Sequence, residues 1–214
     1  MNKILLGHKY VGNFIDAPVR LGMIFRMDAQ QFIPAMHFND AYPAINLGKW
    51  TEAGSKGNIR FSETTSVSFS FGASATTGIG ESELGIKFKK AKSVAGYVQD
   101  AVVERFGYSN ILPQLKQIWT DQGYAKFYKE YVLVFEVVTA ASGTLVYSED
   151  RNNEVVLRHK LGAAVKKIAD LGSGNFEFVS NSKRTLEIIR AVAHKPLFKA
   201  FRLRKDWRPE ILGT

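Results

Sequence analysis

The chain has 214 residues, 45% apolar and 23% charged, a balance that suits one globular domain, or at most two, with a sizeable core. It contains no cysteine, which excludes disulfides, thiolate metal sites, cysteine nucleophiles and cysteine acylation. The net charge is +9, and nine Lys and Arg against three Asp and Glu in residues 183–214 place +6 of it near the C-terminus, where an anionic partner is expected.

Taken in order, residues 1–25 read as a lead-in strand and turn broken at Gly7, Gly12 and Pro18. Residues 1–6 hold too short an apolar run for a secretory segment, and no window of 18 apolar residues predicts a membrane-spanning helix. Residues 26–50, with Pro34 and Pro43, read as short helical or extended pieces, and 51–57 as a polar loop.

Residues 64–91 carry the clearest pattern. Val67, Phe69 and Phe71 alternate with Ser66, Ser68 and Ser70, and Leu84, Ile86 and Phe88 alternate with Glu83, Gly85, Lys87 and Lys89. A period of two puts each apolar set on one face of a strand, and Gly78 and Gly80 suit a reversal. The stretch predicts a long amphipathic hairpin whose apolar face meets either a protein core or a bilayer. Its arms, of about 11 residues, match the ~9–11 that a tilted strand needs to cross hydrocarbon.

Beyond it, residues 93–106 have apolar side chains at helical spacing between a Ser93 cap and Gly107, and 113–121 read as a short helix opened by Pro113. Residues 129–139 read as a strand covered on both faces. A turn at 140–143, a return over 144–148, a charged turn at 149–153 and a strand at 155–157 follow. Residues 160–171 read as an amphipathic helix ended by Gly172, and 175–179 and 186–193 as strands. The segment after Pro196 fits either a strand or a helical turn. The expected fold class is α+β: a twisted antiparallel sheet with long amphipathic hairpins and flanking helices.

Catalytic and metal-binding patterns are missing from the sequence. His8, His37, His159 and His194 are scattered, without metal-ligand spacing. The run 72–76 lacks the second glycine of a nucleophile elbow, and Gly78-Ile79-Gly80 runs into Glu81 and Glu83 rather than a phosphate-binding helix. The expectation is a non-enzymatic protein with no catalytic residue, metal or cofactor.

The layout resembles the pore-forming domain of gasdermins, especially the compact bacterial members. The likeness rests on the serine- and glycine-rich hairpin at 61–91 with the segment after it, the hydrophobic strand and charged return over 129–158, the helix and strand over 160–179, and the proline-led aromatic run at 194–201. It implies one pore-forming domain over 1–214, with a short tail at 202–214. It also implies oligomerisation into a transmembrane β-barrel through hairpins 61–91 and 131–158, because strands in lipid must close on themselves. Such a protein is cytoplasmic when soluble and on the membrane when active, with a toxin or cell-death role.

On this resemblance the lipid-facing residues are Val67, Phe69, Phe71, Leu84, Ile86 and Phe88, and Lys87, Lys89, Lys90, Arg202, Arg204 and Lys205 bind anionic headgroups. Glu136 then faces the barrel lumen. The partners are anionic lipids, further copies of the chain, and an activating protease or a separate inhibitory partner. The alternative reading is a soluble α+β binding protein whose basic C-terminal region engages RNA or an acidic protein, with nucleic acid ranked below lipid.

Overall fold

Runs of Val, Ile, Phe and Thr at period two recur along the chain, and strands dominate accordingly. The computed structural model describes residues 10–13, 17–28, 31–62, 66–72, 80–121 and 130–212. In chain order the strands are β1 (Val11–Gly12), β2 (Met23–Asp28), β3 (Gln31–His37), β4 (Thr51–Ser62), β5 (Val67–Phe71), β6 (Glu83–Phe88), β7 (Ser93–Phe106), β8 (Tyr131–Ala140), β9 (Ser142–Ser148), β10 (Asn153–His159), β11 (Phe176–Asn181), β12 (Thr185–Arg190), β13 (His194–Leu203) and β14 (Pro209–Ile211). Helices α1 (Phe38–Ala41) and α2 (Tyr108–Asp121) and short 3-10 turns at Leu47–Trp50 and Ile168–Ser173 complete the described elements. The protein is mostly antiparallel β-sheet with few helices.

The chain forms two compact units. The first is drawn from Met1–Ser55, Val102–Thr139 and Lys195–Thr214, the second from Lys56–Ala101 and Ala140–His194.

In the first unit β8 lies between β13 and the end of β7, where Glu136 stands opposite Arg105. β2 and β3 form a hairpin, and β2 also pairs with β8 at Ile24 and Leu133. β1 pairs with β13 at Val11 and Phe198, and β14 pairs with it at Ile211 and Phe201. Asn13 closes the short β1. Its backbone N–H donates to the Pro196 carbonyl (2.8 Å), and its side-chain amide donates to the carbonyls of Ala17 (2.8 Å) and Lys195 (2.9 Å).

One apolar cluster joins Phe25, Phe32 and Phe198 to Val132 and Val134. Another seats Ile111 and Leu115 of α2 against Phe106, Leu133, Phe135 and Phe201. That seat explains why α2 starts at Tyr108 and carries Pro113 in its interior, rather than opening at Pro113 as the sequence suggests. Fully burying Ile111 and Leu115 contributes roughly 1.5–3 kcal/mol each, which offsets the ~3 kcal/mol of an interior proline.

In the second unit β5, β6, β10 and β11 form a four-stranded sheet in the order β11-β10-β6-β5. Its apolar face packs with Ala95 of β7, Val146 of β9 and Val165 and Leu171 of the segment after β10. Sheet faces sheet, the arrangement that buries one side of each.

Several sequence expectations change. Residues 93–106 are strand β7, not a helix. Ala95 and Val98 lie on opposite faces and both are buried, so a strand covered on two sides imitates helical spacing. Residues 51–57 belong to strand β4 rather than a loop, and 194–203 are strand.

The segment 140–143 is not a reversal. β8 and β9 both run antiparallel to β7, Thr139 opposite Val102 and Ser142 opposite Gln99, so the chain continues in one direction. A turn follows at 149–152, and β10 then pairs with β6 and β11. The stretch 131–158 is therefore not a hairpin in this fold.

Nor is 160–171 an α-helix. Gly162 takes φ +69, the Val165 N–H donates to the Glu81 carbonyl (3.0 Å) instead of four residues back, and only a 3-10 turn follows. That turn ends on Gly174 at φ +63, where a Cβ would overlap the Arg190 carbonyl oxygen. Gly174→Ala is expected to cost more than about 1 kcal/mol, read as a lower urea midpoint at unchanged m-value.

Candidate functional site

The 64–91 pattern folds as a hairpin wherever it is described. β5 and β6 pair antiparallel from Val67 opposite Phe88 to Phe71 opposite Leu84, with Phe69 opposite Ile86. The pairing continues at both ends, through the Lys89 N–H to the Ser66 carbonyl (2.8 Å) and the Gly72 N–H to the Glu83 carbonyl (3.3 Å). The reversal around Gly78 lies outside the described residues.

All six predicted lipid-facing side chains share one apolar cluster. Val67, Leu84, Ile86 and Phe88 are buried, while Phe69 and Phe71 are half-buried, their rings stacked at 6.4 Å. Their rows continue into the next strand, since Ile86 also faces Val155 and Leu84 faces Leu157. In this fold the apolar face is thus covered by protein. Among the described strands β5, bearing Phe69 and Phe71, is at the edge of its sheet.

The opposite face is polar and paired. Lys87 sits across from Glu154 with Nζ–Oε1 at 2.6 Å, and Arg158 across from Glu83 with Nη2–Oε1 at 2.7 Å. Opposite charges directly across two antiparallel strands fix register as much as they stabilise it. Ser68 stands beside Lys87 and Ser70 beside Gly85. An open groove of about 340 Å³ runs along this face past Ser70, Lys87 and Glu154.

The predicted headgroup cations fall into two sets. Lys87, Lys89 and Lys90 are exposed in the second unit. Arg202, Arg204 and Lys205 belong to the first. Arg202 donates to Glu210 (2.8 Å), and Arg204 lies 4.0 Å from Asp206. Residues 202–212 are folded into that unit rather than forming a separate tail, since Leu203 pairs with Pro209 and Leu212 is buried.

The described histidines act locally. His37 Nε2 lies 2.6 Å from the Leu21 carbonyl while its Nδ1 accepts the Asn39 N–H (3.2 Å), His159 packs edge-on to Phe176 at 5.3 Å, and His194 Nδ1 is 3.0 Å from the Val192 carbonyl. Among the described residues no group of three His, Asp or Glu side chains is placed to hold a metal.

Sequence reading singled out Glu136 but missed its partners. In the first unit Tyr10 donates its hydroxyl to Glu136 Oε1 (2.9 Å), Lys199 Nζ lies 2.9 Å from the same oxygen, and the lysine also sits 4.4 Å from the centre of the Tyr10 ring. The side chain of Glu136 is 6% exposed and that of Lys199 22%. Next along, Arg105 stands opposite Glu136 and lies 3.6 Å from Glu52. No period or spacing brings residues 10, 136 and 199 together; only strand pairing does.

No protein-family model and no curated protein matches the chain. The functional reading therefore rests on the geometry above and on the resemblance of layout.

Proposed function

We propose that this is a gasdermin-like membrane-permeabilising protein, non-enzymatic, soluble in the cytoplasm in the fold described and acting at the membrane as a β-barrel oligomer. The observation that carries the reading is the β5–β6 hairpin, with six apolar side chains on one face, serine, glycine and lysine on the other, and an edge position in its sheet. An edge hairpin can leave its sheet by breaking backbone bonds on one side only.

Among the described residues no helix is long and apolar enough to cross a membrane. The proposed crossing is made by strands, and closure into a ring satisfies their backbone groups. Five described pairs reach about 17 Å, roughly half the hydrocarbon thickness, so the crossing draws on neighbouring residues as well. At the base of the hairpin those neighbours are already strands, β4 before it and β7 after it, with Lys92 at φ +56 in the corner between β6 and β7. The stretch 131–158 has to re-pair, because β9 and β10 do not pair with each other in the soluble fold.

Lys89 and Lys90 meet the headgroups, each contributing about 1 kcal/mol near an anionic leaflet. Lys87, Arg202, Arg204 and Lys205 join them once the partners of the paired ones are exchanged for lipid. The test is dye release from vesicles. The expected result is leakage from phosphatidylserine-containing vesicles, weaker from neutral ones and falling with added salt, with or without limited proteolysis. Absence of release under all these conditions defeats the proposal. A gel shift with RNA that falls steeply with salt, without any vesicle effect, would replace it by the binding-protein reading.

A further inference from the structure

A cleft of about 610 Å³ in the second unit joins three cations to two aromatic rings. Arg60 enters from β4, Lys166 and Lys167 from the segment before the 3-10 turn, Phe71 from β5 and Tyr97 from β7, with Asn58 beside Arg60. Among the described residues no carboxylate lines it. The nearest acidic side chain along the chain, Asp170, is turned onto the backbone: its Oδ2 accepts the N–H groups of Lys166 (2.8 Å) and Lys167 (3.0 Å). That carboxylate pins the two lysines in place without neutralising their side chains.

The wall is built rather than draped. Gly172 lies so close to Tyr97 that an added Cβ would stand 2.9 Å from its Cδ1, which seats the turn directly against the tyrosine. Phe71, Tyr97 and Ile168 are half-buried and pack on the apolar cluster of this unit, so the rings are held from behind. Lys166 and Lys167 are exposed and make no ion pair among the described residues. Asn58 already accepts the Asp100 N–H through Oδ1 (3.0 Å), which leaves its amide N–H groups as donors.

Lys166 and Lys167, two like charges side by side at one concavity, favour an anion between them, and Arg and Lys are the side chains that hold phosphate oxygens. Aromatic rings held from behind suit a flat ring of the ligand. The volume lies within the roughly 300–1,000 Å³ of small-molecule sites, larger than a lone phosphate requires. We propose that this cleft binds a soluble nucleoside phosphate, its phosphates on Arg60, Lys166 and Lys167 and its base against Phe71 and Tyr97.

Titration calorimetry on the full chain tests this without any membrane, so the result is independent of vesicle leakage. ATP is expected to bind saturably, Lys166→Glu with Lys167→Glu to weaken it at least tenfold, and Tyr97→Ala to weaken ATP while leaving tripolyphosphate unchanged. Thermal melts confirm that the variants fold, and Arg60→Gln, which keeps both lysines, is expected to lose several-fold. No binding of ATP, or equal binding by the charge-reversed variant, overturns the proposal. So does tripolyphosphate binding as tightly as ATP with Tyr97→Ala affecting neither. Retention on phosphatidic acid vesicles that depends on Lys166 and Lys167, with no heat from ATP, assigns the cations to lipid instead and likewise overturns it.

Discussion

Lys199→Met is expected to destabilise the protein by about 3 kcal/mol, the low end of the ~3–5 kcal/mol for stripping a buried ion of its partner. Glu136 is almost wholly enclosed and has Lys199 and Tyr10 on one carboxylate oxygen. Methionine keeps most of the packing and leaves the carboxylate with the Tyr10 hydroxyl and Arg105 across the sheet. Urea denaturation reads the loss. The triple variant Lys199→Met, Glu136→Leu and Tyr10→Phe is expected to recover most of it, because it removes both charges with their desolvation and leaves no buried hydroxyl without its acceptor. Failure to recover would mean that Lys199 acts by packing alone.

The same cluster sets a limit at high pH. Burial, and after it the Glu136 carboxylate, push the Tyr10 hydroxyl above its ordinary range. A folded pKa above the unfolded value of about 10 gives stability that is complete below that pH and is lost as pH rises past it. Tyr10→Phe removes this dependence, so above pH ~10 its urea midpoint is expected to fall less than that of the wild type.

The second large effect concerns function. Phe69→Asp is expected to abolish vesicle leakage. A charge facing lipid costs up to about 2–4 kcal/mol at mid-bilayer, less for Asp than for Lys or Arg, and a ring of copies meets that cost in every subunit. In the fold described Phe69 is only half-buried, so the substitution leaves the fold populated, as a thermal melt will verify. Phe178→Asp supplies the comparison: it is half-buried against the same apolar cluster but lies on β11, outside both proposed crossing segments. It should lose similar stability and keep leakage. If both variants leak alike, the hairpin is not the crossing element; if neither leaks, the loss reflects stability alone.

How much was legible in the sequence differs from element to element. β5 and β6 could be read because each has one covered face and one wet face, which keeps the period of two intact. β8 could be read from its unbroken run of β-branched and aromatic residues. β7 could not, because burial on both faces erased the alternation. The segment after β10 misled for the opposite reason: Val165, Ile168 and Leu171 recur every third residue and pack on one cluster, as a helix face would, but Gly162 at φ +69 and the bond from the Val165 N–H to the Glu81 carbonyl keep the backbone out of an α-helix. The six apolar hairpin residues were grouped correctly by alternation, whereas Tyr10, Glu136 and Lys199, like Arg60, Lys166 and Lys167, meet only through pairing across long stretches of chain. Local periodicity carries no record of such meetings.

The seam between β1 and β13 has a consequence for how the protein is made. Asn13 bonds to a carbonyl 182 residues further along the chain. At about 5–20 residues per second, the ribosome delivers that partner roughly 9–36 seconds later. β2 likewise waits for β8, while the second unit draws on no residue beyond His194. During synthesis the start of the chain therefore stays unpaired, its Tyr10 and Val11 exposed, until β13 emerges. The unit that contains the N-terminus is the one completed last, and its early strands depend most on protection from aggregation while they wait.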